Sequence, residues 1–240
     1  MGRKTRKPAK NAADNDEQIS DLEVLLEIGG MGAGHASTAL SAVLQEKVDV
    51  EVPRLHVKPP HLFPAVYEKH ESAVVAVFMQ LRSDADCDIM LIFEAEEAKK
   101  ISALMTGGVE VDPEMERSAI QELGSIMIGS FLNAMADFTD TELVPTPPQL
   151  ILDGFDAVID ELLVKQALHS DVTAIFDARF KRSGSCAEGY LILFPGEKLR
   201  TLIADRGRKW LSSNFRKGHT DQFISSVAQQ PTQVYQPRFA

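Results

Sequence analysis

The sequence predicts an α+β fold of two pseudo-symmetric halves, each with a long exposed helix followed by β-strands and a shorter helix. Three observations lead there. Apolar residues recur at helical spacing in two long stretches, strand-like segments lie between and after them, and this series runs twice along the chain. An offset of 95 superposes the two runs, setting Glu27 on Glu122, Gly29 on Gly124, Gly34 on Gly129, Ala39 on Ala134, Pro53 on Pro148 and Leu55 on Leu150. Six matches in under thirty positions point to a duplication.

Residues 1–17 are basic and polar without apolar periodicity, and read as a disordered tail; residues 219–240, rich in Gln and Pro, read as a flexible one. The folded domain is expected over 18–218, with repeat halves at about 18–112 and 113–218. Its first element is a helix over 19–45, followed by strand-like segments at 48–52, 73–80 and 89–93. A helix over 95–105 stops at Gly107-Gly108, and a second long helix runs from Pro113 to about residue 138. Strand patterns return at 149–152, 173–180 and 190–194, with a last helix over 197–204. Periodicity leaves open whether the strands form one sheet or two.

Composition narrows the function. A 44% hydrophobic share over 240 residues is enough for a packed core and excludes global disorder. The two cysteines, Cys87 and Cys186, cannot build a disulfide framework and have no metal-ligand spacing, which fits a reducing compartment. No apolar region follows the basic start, and no apolar run nears the roughly 20 residues of a membrane span, so a cytoplasmic protein without membrane contact is expected. The net charge is −10 although the first ten residues carry five positive charges, so the body is more acidic still and should repel nucleic acid.

On a helical wheel, Leu22, Leu25, Leu26, Gly29, Ala33, Ala36, Leu40, Val43 and Leu44 of the first long helix form one apolar stripe. Glu23, Glu27, Gly34, Thr38, Ser41 and Gln45 lie opposite, with Gly30 at the edge. In the second long helix Ile120, Gly124, Ile128, Phe131, Met135 and Phe138 form the stripe, while Ser118, Glu122, Ser125, Gly129 and Asn133 face outward. An exposed helical Glu is ordinarily a solvated charge. Here it recurs in a fixed frame, with a small residue three positions on and a proline 23 positions after that: Glu27, Gly30, Pro53 and Glu122, Ser125, Pro148.

This doubled frame resembles the CheC-type phosphatases of bacterial and archaeal chemotaxis, whose signature is Asp or Ser, three residues, Glu, two residues, Asn, 22 residues and Pro, once in each half of a duplicated α+β fold. The second copy reads Ser118, Glu122, Ser125, Pro148 and the first reads Glu23, Glu27, Gly30, Pro53; the string from Glu27 to Leu40 also resembles the family's first active helix. The resemblance spans about residues 18–210. It implies docking on the receiver domain of phosphorylated CheY and hydrolysis of its aspartyl phosphate. Glu27 and Glu122 would pair with the receiver's invariant lysine, Glu23 and Ser118 would flank the contact, and the Asn position would orient the attacking water. Mg²⁺ would belong to the receiver, with no cofactor on this chain, and CheD is a further candidate partner.

The chain departs from the signature where the chemistry is done, since Gly30 and Ser125 stand at both asparagine positions. Glycine offers no side chain, and the serine hydroxyl is shorter than a carboxamide and lacks its second polar atom. His35 and Asn133 lie 8 and 11 residues beyond their glutamates, or about 12 and 16 Å along the axis against about 4.5 Å for the motif position, so neither substitutes. The resulting expectation is a receiver-docking protein with weak phosphatase activity through Glu122 and Ser125; the alternative is a non-catalytic adaptor for CheY or CheD. A flagellar-switch component is disfavoured by the end of the chain near residue 240. The glycines at 29, 30, 32 and 34 follow helical sequence and lack the Gly-Lys-Ser or Gly-Lys-Thr of a phosphate loop, and His56, His61 and His70 lack metal-site spacing.

Overall fold

The computed structural model describes residues 21–63, 72–81, 87–108, 112–168, 172–182 and 188–214; the two expected tails, His70 and Cys186 lie outside them. The first long helix is α1, Asp21–Leu44, and its counterpart is α3, Pro113–Thr139. Helix α3 begins where the sequence provides a cap: Asp112 accepts from the backbone N–H groups of Glu114 and Met115 at 3.0 and 2.8 Å, and Pro113 fills the first turn. It ends at Asp140, whose φ of 48° is left-handed.

Seven strands form one antiparallel sheet: β1 Val48–Val50, β2 Arg54–Lys58, β3 Ala73–Gln80, β4 Cys87–Glu94, β5 Gln149–Gly154, β6 Thr173–Arg182 and β7 Glu188–Pro195. The central pair is β4–β7, one strand from each half, with Leu91 opposite Leu191. Outward from it the halves exchange strands. The first half's β1 and β2 pair with the second half's β6, and the second half's β5 pairs with the first half's β3. Leu55 thus lies opposite Phe176, and Leu150 opposite Val77. This settles the question periodicity left open in favour of one sheet, each half lending its leading strands to the other.

Because side chains alternate across a strand, the sheet has two cores. On one face Val75, Val77, Leu91, Phe176, Ala178 and Leu193 pack under α1, α3, α2 (Ala95–Met105) and α5 (Glu197–Asn214). On the other, Val74, Ala76, Phe78, Met90, Ile92 and Ile192 meet Phe155, Val158, Ile159, Leu162 and Leu163 of α4, Phe155–Ala167.

The structure adds β2, a 3₁₀ turn at Pro60–Leu62 and the whole of α4 to the expected elements, and extends α5 ten residues beyond 204 to Asn214. The turn and α4 fall in corresponding connections of the two halves, and the connections differ in length, Lys58 to Ala73 against Gly154 to Thr173, so the 95-residue offset holds through Leu55 and Leu150 but drifts afterwards. The extra length of α5 also changes the wheel of α1. Val24 and Ile28, left off the predicted stripe, are fully buried, because Gly207 of α5 seats against them, its Cβ direction 2.5 Å from Val24 and 3.3 Å from Ile28.

Candidate functional site on two equivalent helices

Why each glutamate faces where it does follows from the residue two positions later. A Cβ at Gly29 would stand 2.6 Å from the Phe176 ring, and one at Gly124 would collide with Val77. These are the sheet residues opposite Leu55 and Leu150. In both halves the helix therefore lies with its glycine backbone directly on the strand that accepts the exchanged strand, a separation no larger residue permits. That contact sets the roll of the helix and turns Glu27 and Glu122 away from the sheet. Gly32 makes the analogous close approach between helices, against Phe131 of α3 at 2.8 Å. Gly34 and Gly129, which also repeat, touch nothing within 4 Å of a built Cβ.

The two prolines of the frame come back to their helices as the fixed spacing requires. Pro53 Cγ lies 3.9 Å from the Cβ direction of Gly30. In the second half Gln121 Nε2 donates to the Pro148 carbonyl at 2.9 Å. Space beside Pro53 is thus open at Gly30, so its lack of a side chain is not forced by packing.

Equivalent positions do not have equivalent surroundings. Glu122 and Ser118 are exposed and Ser125 is half-buried on α3; on α1, Glu23 is exposed but Glu27 is half-buried, which corrects the expectation of a solvent-facing residue. Burial removes water from the Glu27 carboxylate and pushes its pKa above the ordinary 4.5. Helix α5 packs on a neighbouring face of α1, at Val24 and Ile28. Arg208 pairs with Asp21, and Arg206 Nη1 donates to the Asp140 carbonyl at 2.8 Å. Three consecutive residues of α5, Arg206 to Arg208, thereby join the start of α1 to the end of α3, so the two long helices run antiparallel. The Glu27 and Glu122 positions accordingly lie towards opposite ends of the pair and make two sites rather than one. Nothing in the sequence distinguished them in this way, since the wheel treats both helices alike.

The chemistry available at each site is limited. Glu122 and Ser125 are one turn apart, with Cβ atoms about 5–6 Å from each other, so they can enter one partner cleft together. The Ser125 hydroxyl donates to the Gln121 carbonyl of its own helix at 3.1 Å. Its proton is engaged and its lone pairs remain as acceptors. Gly30 offers only backbone. Among the described residues no group of three or more His, Cys, Asp or Glu could hold a metal ion. His56 instead faces the buried Asp177 at 3.4 Å across the β2–β6 pair, and His61 is exposed. No described helix is long and apolar enough to cross a membrane.

Comparison with known proteins joins this geometry to a lineage. The model of the CheC-like family matches residues 22–57 and 115–152, the two helix-plus-strand units that carry the repeated frame. The CheY-P phosphatase CheC of Bacillus subtilis (strain 168) is 32% identical over 174 residues, covering 68% of this chain and 83% of that protein. The flagellar motor switch phosphatase FliY of the same organism is 29% identical over 176 residues, covering 68% of this chain but 46% of that protein. Among solved structures, Thermotoga maritima FliY superposes with a TM-score of 0.62 at 18% identity, over 79% of this chain and 96% of the other.

Proposed function

The chain belongs to the CheC-like family, and from that premise we propose that it docks on the phosphorylated receiver domain of a CheY-type response regulator and speeds loss of its aspartyl phosphate weakly, through Glu122 and Ser125. One observation carries the reading. Each half seats a glycine on the sheet so that the glutamate two residues earlier is turned outward on a helix held by packing along its length. Glutamates turned outward from helices packed along their length suit a partner's cleft better than a small molecule.

In this reading Glu122, exposed and charged, pairs with a lysine ammonium at the receiver's phosphorylation site. Ser125, one turn on, accepts a hydrogen bond from a water near the phosphorus. Attack by that water forms one P–O bond while the bond to the receiver's aspartate breaks, releasing phosphate and restoring the carboxylate. The Mg²⁺ that offsets the charge is the receiver's own. A carboxamide at this position could both donate and accept; the hydroxyl, its proton committed to Gln121, holds the water less firmly. Docking is therefore retained and orientation of water is reduced.

The adaptor reading, in which CheY or CheD is bound without hydrolysis, draws support from the same bond and from the bare backbone at Gly30. Following the decay of phosphorylated CheY with and without the protein separates the two. Faster decay that depends on Glu122 supports the phosphatase. Binding without faster decay leaves the CheY adaptor, and no binding to phosphorylated CheY removes both the phosphatase and the CheY adaptor and leaves only the CheD one.

A further inference from the structure

We propose that Gln121 is a positioning residue of the α3 docking site, its bond to Pro148 fixing the directions in which Glu122 and Ser125 point. The inference rests on the docking function proposed above. Gln121 immediately precedes Glu122, is half-buried, and spends its side-chain N–H on the Pro148 carbonyl at 2.9 Å. Its own carbonyl accepts the Ser125 hydroxyl at 3.1 Å. The residue thus touches both ends of the frame, the proline and the residue at the water-orienting position, and stands next to the glutamate. Pro148 immediately precedes Gln149, which is paired with Phe78 in the sheet, so its carbonyl is a point of attachment at the sheet edge. A bond from one helical residue to a fixed point on the sheet edge restrains rotation about the helix axis. Since successive residues are set about 100° apart on the helix, that restraint also fixes the directions of Glu122 and Ser125.

The equivalent position in the first half is Leu26, a partly buried residue packed on the core that has no side-chain donor. There the directional bonds from helix to sheet lie further along, where the Ser37 hydroxyl donates to the Val48 carbonyl at 2.7 Å and Ser41 Oγ accepts from Val48 N–H at 3.0 Å, whereas on α3 the bond to Pro148 stands next to the glutamate itself. No signal in the sequence exposes this role, because the repeat comparison aligns unlike residues at just this point.

The test measures affinity for a beryllofluoride-activated CheY receiver domain together with the thermal midpoint of the full chain. Gln121→Met keeps the length of the side chain and removes the donor. Loss of one partly exposed hydrogen bond is expected to weaken binding about three- to tenfold. A purely structural role would lower the midpoint without moving affinity, so a double-mutant cycle supplies the decisive readout. Gln121→Met combined with Glu122→Gln should weaken binding by less than the product of the two separate effects, while Gln121→Met combined with Glu27→Gln should give the full product. Unchanged affinity in Gln121→Met, or independent effects with Glu122→Gln, overturns the inference and leaves the docking reading standing. Unchanged affinity in Glu122→Gln overturns both. Gln121→Glu, of the same shape with an acceptor in place of the donor, repeats the measurement should methionine perturb folding.

Discussion

Glu27 and Glu122 occupy equivalent turns of equivalent helices, yet Glu27 is half-buried and Glu122 exposed, and α5, beside α1, has 18 residues where its counterpart α2 has 11. The longer helix seats Gly207 on Val24 and Ile28 and pairs Arg208 with Asp21, beside the first site. No described contact of α2 does the same for the second. A duplicated frame has thus become one covered position with bare backbone at Gly30, and one open position with a hydroxyl at Ser125 and a side-chain bond to Pro148. The difference shows that a repeated motif keeps its geometry through its packing residues, Gly29 and Gly124, while the surroundings of its two glutamates differ.

The largest effect should come where the halves are alike. Gly29→Ala and Gly124→Ala each drive a methyl group into Phe176 or Val77, and either is expected to cost about 3 kcal/mol, the upper end for overpacked sites. Thermal or urea unfolding measures this, and a neutral result at one position would show that its helix is free to lift from the sheet. Next is the chemical difference. Ser125→Asn should speed the decay of phosphorylated CheY about tenfold or more, as restored orientation of a reacting water would. Gly30→Asn, which has room beside Pro53, should give a smaller gain because Glu27 is partly covered. Equal gains would break the distinction between the sites.

Binding should follow the same order with less contrast. Glu122→Gln is expected to weaken receiver affinity about tenfold, the scale of one charge-assisted bond, and Glu27→Gln less; titration with the activated receiver reads both. The smallest effect concerns pH. Desolvation raises the Glu27 pKa in the folded chain, so between the unfolded and folded pKa values the folded state binds more protons. Stability attributable to Glu27 is therefore greatest at low pH and falls as pH rises above about 4.5 through that window. Glu27→Gln should flatten this fall and stabilise the protein slightly at neutral pH, by less than about 0.5 kcal/mol. Unfolding curves of both Gln variants across pH would show it, and a Glu122→Gln profile that flattened equally would contradict the difference in burial.

Much of the fold was legible because the sequence says it twice. Gly29 and Gly124 recur at one offset since the same strand exchange demands the same close approach, and Pro53 and Pro148 recur since each closes onto its helix. What has no counterpart was lost. Helix α4 carries Phe155, Val158, Ile159, Leu162 and Leu163 at good helical spacing, but it follows β5 without a loop, and among the described residues of the corresponding connection in the first half there is only a 3₁₀ turn. Val24 and Ile28 were misplaced because a wheel admits one buried stripe, whereas α1 is packed by the sheet, by α3 and by α5.

The sequence by itself determined the two helices, the doubled glutamate frame and the absence of both amides, since these depend on residue identity and local spacing. Only the tertiary structure decided that the halves share one sheet, that α5 packs on Val24 and Ile28 of α1, and that Gln121 bonds to Pro148. Those depend on which distant segments meet, and neither a two-residue nor a 3.6-residue period carries that information.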